Sequence, residues 1–120
     1  MTSPETLYKK MDPDKIKEII TDFYNQAFAD PIIGHFFFKK DQERLIKLQV
    51  MFTQNLLQGS SHDHERYMKK SHQHLKIRPA HFKRRQKILE EVLEDHLSEP
   101  TLISFWLERE AQLLSYVVST

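Results

Sequence analysis

Apolar residues recur along this chain at three- and four-residue steps, the period of an amphipathic helix. Ile16, Ile19, Ile20, Phe23, Ala27 and Phe28 keep that step behind Asp12-Pro13, an aspartate cap followed by proline at the first helical position; the pattern predicts a helix over about 13–29. Asp30-Pro31 ends it. A compact corner follows, from Ile32 to Phe38. Its three adjacent phenylalanines cannot all face one side of a helix, so the corner is expected to wrap around something apolar. Leu45, Leu48, Phe52 and Leu56 form one stripe of a second helix over about 41–58, stopped by Gly59 and Ser60-Ser61. A short helix over about 64–75 leads to Arg78-Pro79, which opens a third long helix over about 79–97 with Phe82, Leu89, Val92 and Leu93. Ser98-Glu99-Pro100 opens a fourth over about 99–118, carrying Leu102, Ile103, Trp106, Leu107, Leu113, Leu114 and Val117. With only two glycines, the chain is poor in the tight turns a β protein needs. The expected fold is all-α, helix packed on helix around one core.

The 120 residues are expected to form a single domain, 1–120, able to bury roughly two thirds of the surface its unfolded form exposes. Eight Phe, four Tyr and one Trp are too much aromatic surface to leave in water, which argues against disorder. The absence of cysteine excludes disulfides, thiolate zinc sites, cysteine-ligated iron–sulfur clusters and a thiol nucleophile, and fits a cytoplasmic chain. No signal peptide is expected from Met1 to Met11, and no run approaches the ~18 apolar residues of a membrane span. Net charge is only +1, but it is unevenly spread. Residues 61–87 carry nine Lys or Arg against two acids, a net +7, together with five of the seven histidines; residues 88–120 are net −6. A solvated helix face accounts for such a segment. A site for an anionic ligand or cofactor accounts for it as well.

Two polar residues sit where apolar ones are expected. Gln49 shares the stripe of Leu45, Phe52 and Leu56, and Tyr24 lies at the edge of the first helix's apolar face. Burying an amide without a partner costs on the order of 1–3 kcal/mol. Either the hydroxyl and the amide satisfy each other or the backbone, or both point into a cavity and bind a small polar ligand there. His62-x-His64 and His72-x-His74 are weak metal signals, since no cysteine pairs or His-Glu-x-x-His frame accompany them. There is no glycine-rich phosphate loop and no Gly-x-Ser-x-Gly elbow.

In order, Asp22-Phe23-Tyr24, Ala29-Asp30-Pro31, Phe36-Phe37, Arg44-Leu45 through Gln49-Val50 and Phe52, then Met68 before Ser71-His72, then Ile77, His81 and Phe82, resemble the truncated haemoglobins, most closely their first subgroup. The resemblance covers about residues 15–97. It implies a two-over-two helical sandwich around haem b. His72 would be the proximal iron ligand, and Tyr24 and Gln49 the distal hydrogen-bonding pair. Leu45, Phe37 and Phe52 would line the pocket, with Phe36, Met68, Ile77 and Phe82 as further candidates. Arg44, Lys47, Lys69 and Lys70 are candidates to face the haem propionates. His74, two residues from His72, would point away from the iron. Where many members of that subgroup carry a second aromatic residue after Phe52, this chain has Thr53.

The resemblance further implies reversible binding of O₂, CO and NO, as in oxygen transport. Oxidation of nitric oxide by a dioxygenase reaction would need an external reductase, as no flavin or nicotinamide motif is present. Peroxidase-like chemistry is open to an exposed haem. The chain is expected to be a monomer or weak dimer. The rival readings are a haem-free helical domain that binds a protein partner, and one that binds nucleic acid through the basic 61–87 segment with Lys69, Lys70, Arg84 and Arg85.

Overall fold

The computed structural model describes residues 9, 11–58, 72, 75–114 and 118. Four long α-helices and one short 3₁₀ helix run through them, with no strand among the described residues: α1 (Pro13–Ala29), the 3₁₀ helix (Gly34–Phe37), α2 (Gln42–Gln58), α3 (Pro79–His96) and α4 (Pro100–Ala111).

Each start follows the local chemistry. Asp12 caps α1, its side chain accepting from the Asp14 N–H at 2.9 Å, with Pro13 behind it. Asp30 ends α1 in an extended conformation, as a residue before proline prefers. Asp41 accepts from the Arg44 N–H at 3.3 Å to begin α2. At α3 the Arg78 N–H donates to His81 Nδ1 at 3.0 Å, and Pro79 takes the first helical position.

Every residue of the apolar stripe expected on α1 is buried except Phe28, which is half-buried; Tyr24 is buried with them. α1 packs on α2 and on α3, and α4 packs on α3 and on α2, so the four helices stand two over two. Asp22 meets His96 at 3.0 Å and Asp30 meets Arg84 at 2.7 Å. Contacts that descend α3 as they climb α1 make those two helices antiparallel. The main core gathers Ile16, Ile19, Phe23, Leu57, Val92, Leu93 and Trp106; a smaller cluster holds Phe52, Leu56, Ile77, Phe82 and Leu113. Full burial of each such side chain contributes roughly 1.5–3 kcal/mol.

Three expectations need correction. The helical ladder of α4 breaks after Ala111, where the Leu113 N–H turns back to the Glu110 carbonyl at 3.0 Å in a tighter i→i+3 bond; Leu114 is helical again and its carbonyl accepts the Val118 N–H at 3.0 Å, with residues 115–117 outside the described ones. No glycine or proline marks that stop. In the corner, Phe36 and Phe37 turn inward but Phe38 is 75% exposed, with Lys39 Nζ 5.5 Å from its ring. On α2, the stripe of Leu45, Leu48, Phe52 and Leu56 is split: Leu45 packs against the main core, Phe52 and Leu56 belong to the smaller cluster, and Leu48 is exposed. Ile46, Val50 and Leu57 also pack on the main core, and Thr53 is fully buried on their side of the helix. The expected helix over 64–75 lies outside the described residues but for His72 and Leu75; the Leu75 N–H donates to the His72 carbonyl at 3.0 Å.

Candidate functional site

α2 is apolar on two sides because its second side lines a cavity. The space measures about 640 Å³, within the range of cofactor sites. α1 supplies Phe23 and Tyr24 to its wall, and the corner supplies Ile33, Phe36 and Phe37. From α2 come Arg44, Leu45, Leu48, Gln49 and Phe52, three and four residues apart and so on one helical face. His72, Leu75 and Ile77 precede α3, which adds His81, Phe82 and Arg85; Leu113 follows α4. Lys39, Lys40, Asp41 and Arg44 are its exposed, charged margin.

Ten of the residues singled out from the sequence therefore meet on one surface: Tyr24, Phe36, Phe37, Arg44, Leu45, Gln49, Phe52, His72, Ile77 and Phe82. Met68, Lys69, Lys70, His62, His64 and His74 lie outside the described residues. Lys47 is exposed and does not line the cavity, whereas Lys39 and Lys40 do.

The two polar intruders found in the sequence touch. The Tyr24 hydroxyl donates to Gln49 Oε1 at 3.5 Å across the α1–α2 contact, and Gln49 Nε2 donates to Thr53 Oγ1 at 3.1 Å. The Tyr24 ring is held edge-on by Phe23, Phe28 and Phe37 at centroid distances of 5.3, 6.1 and 5.9 Å. Of the alternatives left open by the sequence, the first holds: hydroxyl and amide satisfy each other, and both residues line the cavity.

Of the two imidazoles on that wall, His81 accepts the Arg78 N–H at Nδ1, so when neutral its proton sits on Nε2. Its ring stands edge-on to Phe36 at 5.0 Å. His72 is half-buried. Among the described residues no three His, Cys, Asp or Glu side chains gather to hold a metal ion.

Arg84 and Arg85, adjacent on α3, go opposite ways. Arg84 places Nε and Nη2 at 3.0 and 2.7 Å from Asp30 Oδ1. The other Asp30 oxygen accepts the Ile32 and Ile33 N–H groups, both at 3.0 Å, and so shapes the corner. The Arg84 guanidinium holds the Asp30 carboxyl below the usual carboxylate range; the Ile33 and Ile32 N–H groups add to that, against the upward push of burial. Arg85 instead reaches the buried Glu110 of α4, with Nη2 3.1 Å from Oε2. Both arginines named for a nucleic-acid surface are thus engaged with carboxylates of the chain itself, which weakens that rival.

Residues 6–117 match the model of the bacterial-like globin family. The chain is a bacterial-like globin. No curated protein matches it. As a globin it is a haem-binding protein with diatomic gases as its ligand class. No helix among this globin's described residues is long and apolar enough to cross a membrane.

The lining of the cavity fits haem. An iron held by a macrocycle needs few protein donors, so one imidazole serves where a bare ion would need a cluster. The wall is otherwise mostly aromatic and aliphatic, as an apolar macrocycle requires, and three cations stand at the margin where carboxylates would emerge. In this globin sequence reasoning missed Phe23, Ile33, Leu48, Leu75, Leu113 and the pair Arg85–Glu110. The apolar ones were assigned to the core or left unassigned. The charged pair carried no local signal, being 25 residues apart on different helices.

Proposed function

We propose that this globin holds haem b through His72 and binds diatomic ligands reversibly, O₂ foremost and CO and NO besides. Haem iron, when bound, supplies an open coordination position for such gases and one-electron chemistry. The observation that carries the reading is the meeting of His72, Tyr24 and Gln49 on one cavity whose remaining wall is mostly apolar.

The chain's own residues then divide the work. Leu45, Phe36, Phe37, Phe52, Ile77 and Phe82 exclude water from the ring. Arg44, Lys39 and Lys40 meet anionic substituents at the margin. Gln49 offers its second amide hydrogen to negative charge on a ligand, and Tyr24 offers its hydroxyl hydrogen by exchanging the long bond to Gln49 Oε1 for one to the ligand. Gln49 Nε2 carries two hydrogens, one given to Thr53. Charge-assisted bonds of this kind contribute about 1.5–3 kcal/mol. A further activity in this reading is oxidation of nitric oxide in the cytoplasm, with electrons from a separate reductase.

The test is an absorption spectrum of the purified chain with one equivalent of haemin, then with dithionite, then under CO. A sharp ferrous–CO Soret band, lost in His72→Gly, is expected. A broad spectrum like that of free haemin, or a band indifferent to His72→Gly, refutes the assignment.

A further inference from the structure

Three large apolar side chains stand in water beside the cavity margin. Phe38 is 75% exposed, Met51 62% and Leu48 41%. Leu48 and Met51 share the outer face of α2 with Arg44 and Lys47, at steps of three and four residues, and all of them are exposed. Arg44 and Leu48 also line the margin itself, together with Lys39 and Lys40 of the corner. The corner ends in a tight turn in which the Lys40 N–H donates to the Phe37 carbonyl at 2.9 Å, with Phe38 and Lys39 at its middle positions. Lys39 has φ 61°, the left-handed conformation such a turn needs and an L side chain rarely adopts. Phe38 and Lys39 project from it together, the Lys39 ammonium 5.5 Å from the Phe38 ring centroid.

The chain leaves the cations of this edge unpaired. Lys15, Arg84, Arg85 and Lys87 meet its own carboxylates, whereas Lys39, Lys40, Arg44 and Lys47 form no ion pair among the described residues. Asp41 and Glu43 stand against those four, so residues 38–48 are net +2. Asp41 already accepts the Arg44 N–H. Unpaired cations around projecting apolar groups match a layer of phosphates over hydrocarbon. A protein partner fits less well. Three of the four cations are lysine, in which protein interfaces are poor, and a protruding phenylalanine needs a matching pocket in a protein but none in fluid lipid. Lysine stems lie along apolar surface while the ammonium stays at the polar boundary.

We propose that this edge seats the chain reversibly on an anionic phospholipid membrane. Phe38, Leu48 and Met51 enter the boundary between headgroups and acyl chains. Lys47 meets lipid phosphates directly; Lys39, Lys40 and Arg44 stand between those phosphates and anionic groups in the cavity. The chain lies on the bilayer rather than through it, with the cavity margin against the headgroups. Such seating needs no haem, so it stands or falls apart from the haem reading.

Full-length protein loaded with haemin is sedimented with vesicles of phosphatidylcholine alone, and of phosphatidylcholine with roughly one third phosphatidylglycerol. Binding to the anionic vesicles alone is expected, weakening as salt rises. Neither Phe38 nor Lys47 lines the cavity, so both can be changed without touching it. Phe38→Ser weakens vesicle binding roughly five- to twentyfold and Lys47→Glu roughly five- to thirtyfold, while Lys47→Arg stays near wild type. Lys15→Glu, the same change in net charge on α1, has little effect. At equal ionic strength, inorganic phosphate displaces no more protein than chloride does. Absence of binding to anionic vesicles at low salt overturns the proposal. So does binding indifferent to Phe38→Ser, or an equal loss in Lys15→Glu and Lys47→Glu. Displacement specific to phosphate marks an ion site and overturns it too. Poly-glutamate that binds the chain where vesicles do not marks a protein-docking face, with the same consequence. If the chain takes up no haemin, the haem reading falls, and the same vesicle assay on the haem-free chain decides this one.

Discussion

Gln49 gives one amide hydrogen to the hydroxyl of Thr53, one turn further along α2, at 3.1 Å. Thr53 is fully buried, so its oxygen is screened from water and the bond has little competition. The amide is thereby fixed with Oε1 toward Tyr24. Thr53→Val keeps the shape and removes the acceptor. Loss of a bond contributing about 0.5–1.5 kcal/mol leaves Gln49 free to turn, so O₂ dissociation should quicken roughly two- to tenfold, with CO dissociation unmoved. Stopped-flow ligand replacement reads both rates; equal O₂ rates would show that Thr53 does not orient the amide.

Tyr24→Phe isolates the hydroxyl. The ring's edge contacts with Phe23, Phe28 and Phe37 survive the change, so stability should hold. O₂ release should accelerate by roughly 10- to 150-fold, the weight of a hydrogen bond to a charged group. CO, with less charge on its oxygen, should respond less.

Gly34 has no room for a side chain. A Cβ there would stand 2.7 Å from the Phe28 carbonyl oxygen, and backbone cannot swing aside as a flexible side chain can. Overpacking of about 1–3 kcal/mol outweighs the roughly 0.4–1 kcal/mol that alanine gains by stiffening the unfolded chain. Gly34→Ala should therefore lower the thermal midpoint, as circular dichroism would record.

Asp30 makes stability depend on acid. Its carboxyl is held below the ordinary value of 3.8, chiefly by Arg84. A depressed carboxylate contributes stability that is complete above that ordinary value and is lost as pH falls through the lower folded one. Asp30→Asn should melt several degrees lower at neutral pH, and the gap to wild type should begin to narrow below about pH 4 and go on narrowing as the acid deepens. A gap constant from pH 7 to pH 3 would rule the ion pair out as its source.

Emptying the cavity should also be visible. A ligand that binds only the folded chain adds about 4 kcal/mol at a thousandfold excess over its dissociation constant. The haem-free chain should melt well below the haem-loaded one, and His72→Gly should lose most of that difference.

The helix starts were legible because their signals are local: Asp12-Pro13, Arg78-Pro79 and Glu99-Pro100 each sit within a residue or two of the turn they create. The α1 face was legible because one side of it meets one core. α2 was harder, since Leu48 lines the cavity while Ile46, two residues before it, packs in the main core. Two apolar faces blur a single period. The end of α4 had no glycine or proline to announce it. Tyr24 and Gln49 stood out as polar residues on apolar faces, but their grouping with His72 came from a family likeness, since no periodicity joins residues 24, 49 and 72. Arg85 was read only as part of the basic segment and Glu110 as part of the acidic one, because composition cannot tell a charge that faces water from one that faces another helix.

The two oxygens of Asp30 answer to different parts of the chain, one to Arg84 and one to the Ile32 and Ile33 N–H groups. Those two amides belong to a corner that would otherwise exchange hydrogen with water as a surface loop does. Bonded to a carboxylate that is itself anchored on α3, they should exchange only when the α1–α3 contact opens. Their protection thus reports on a helix that begins more than forty residues away.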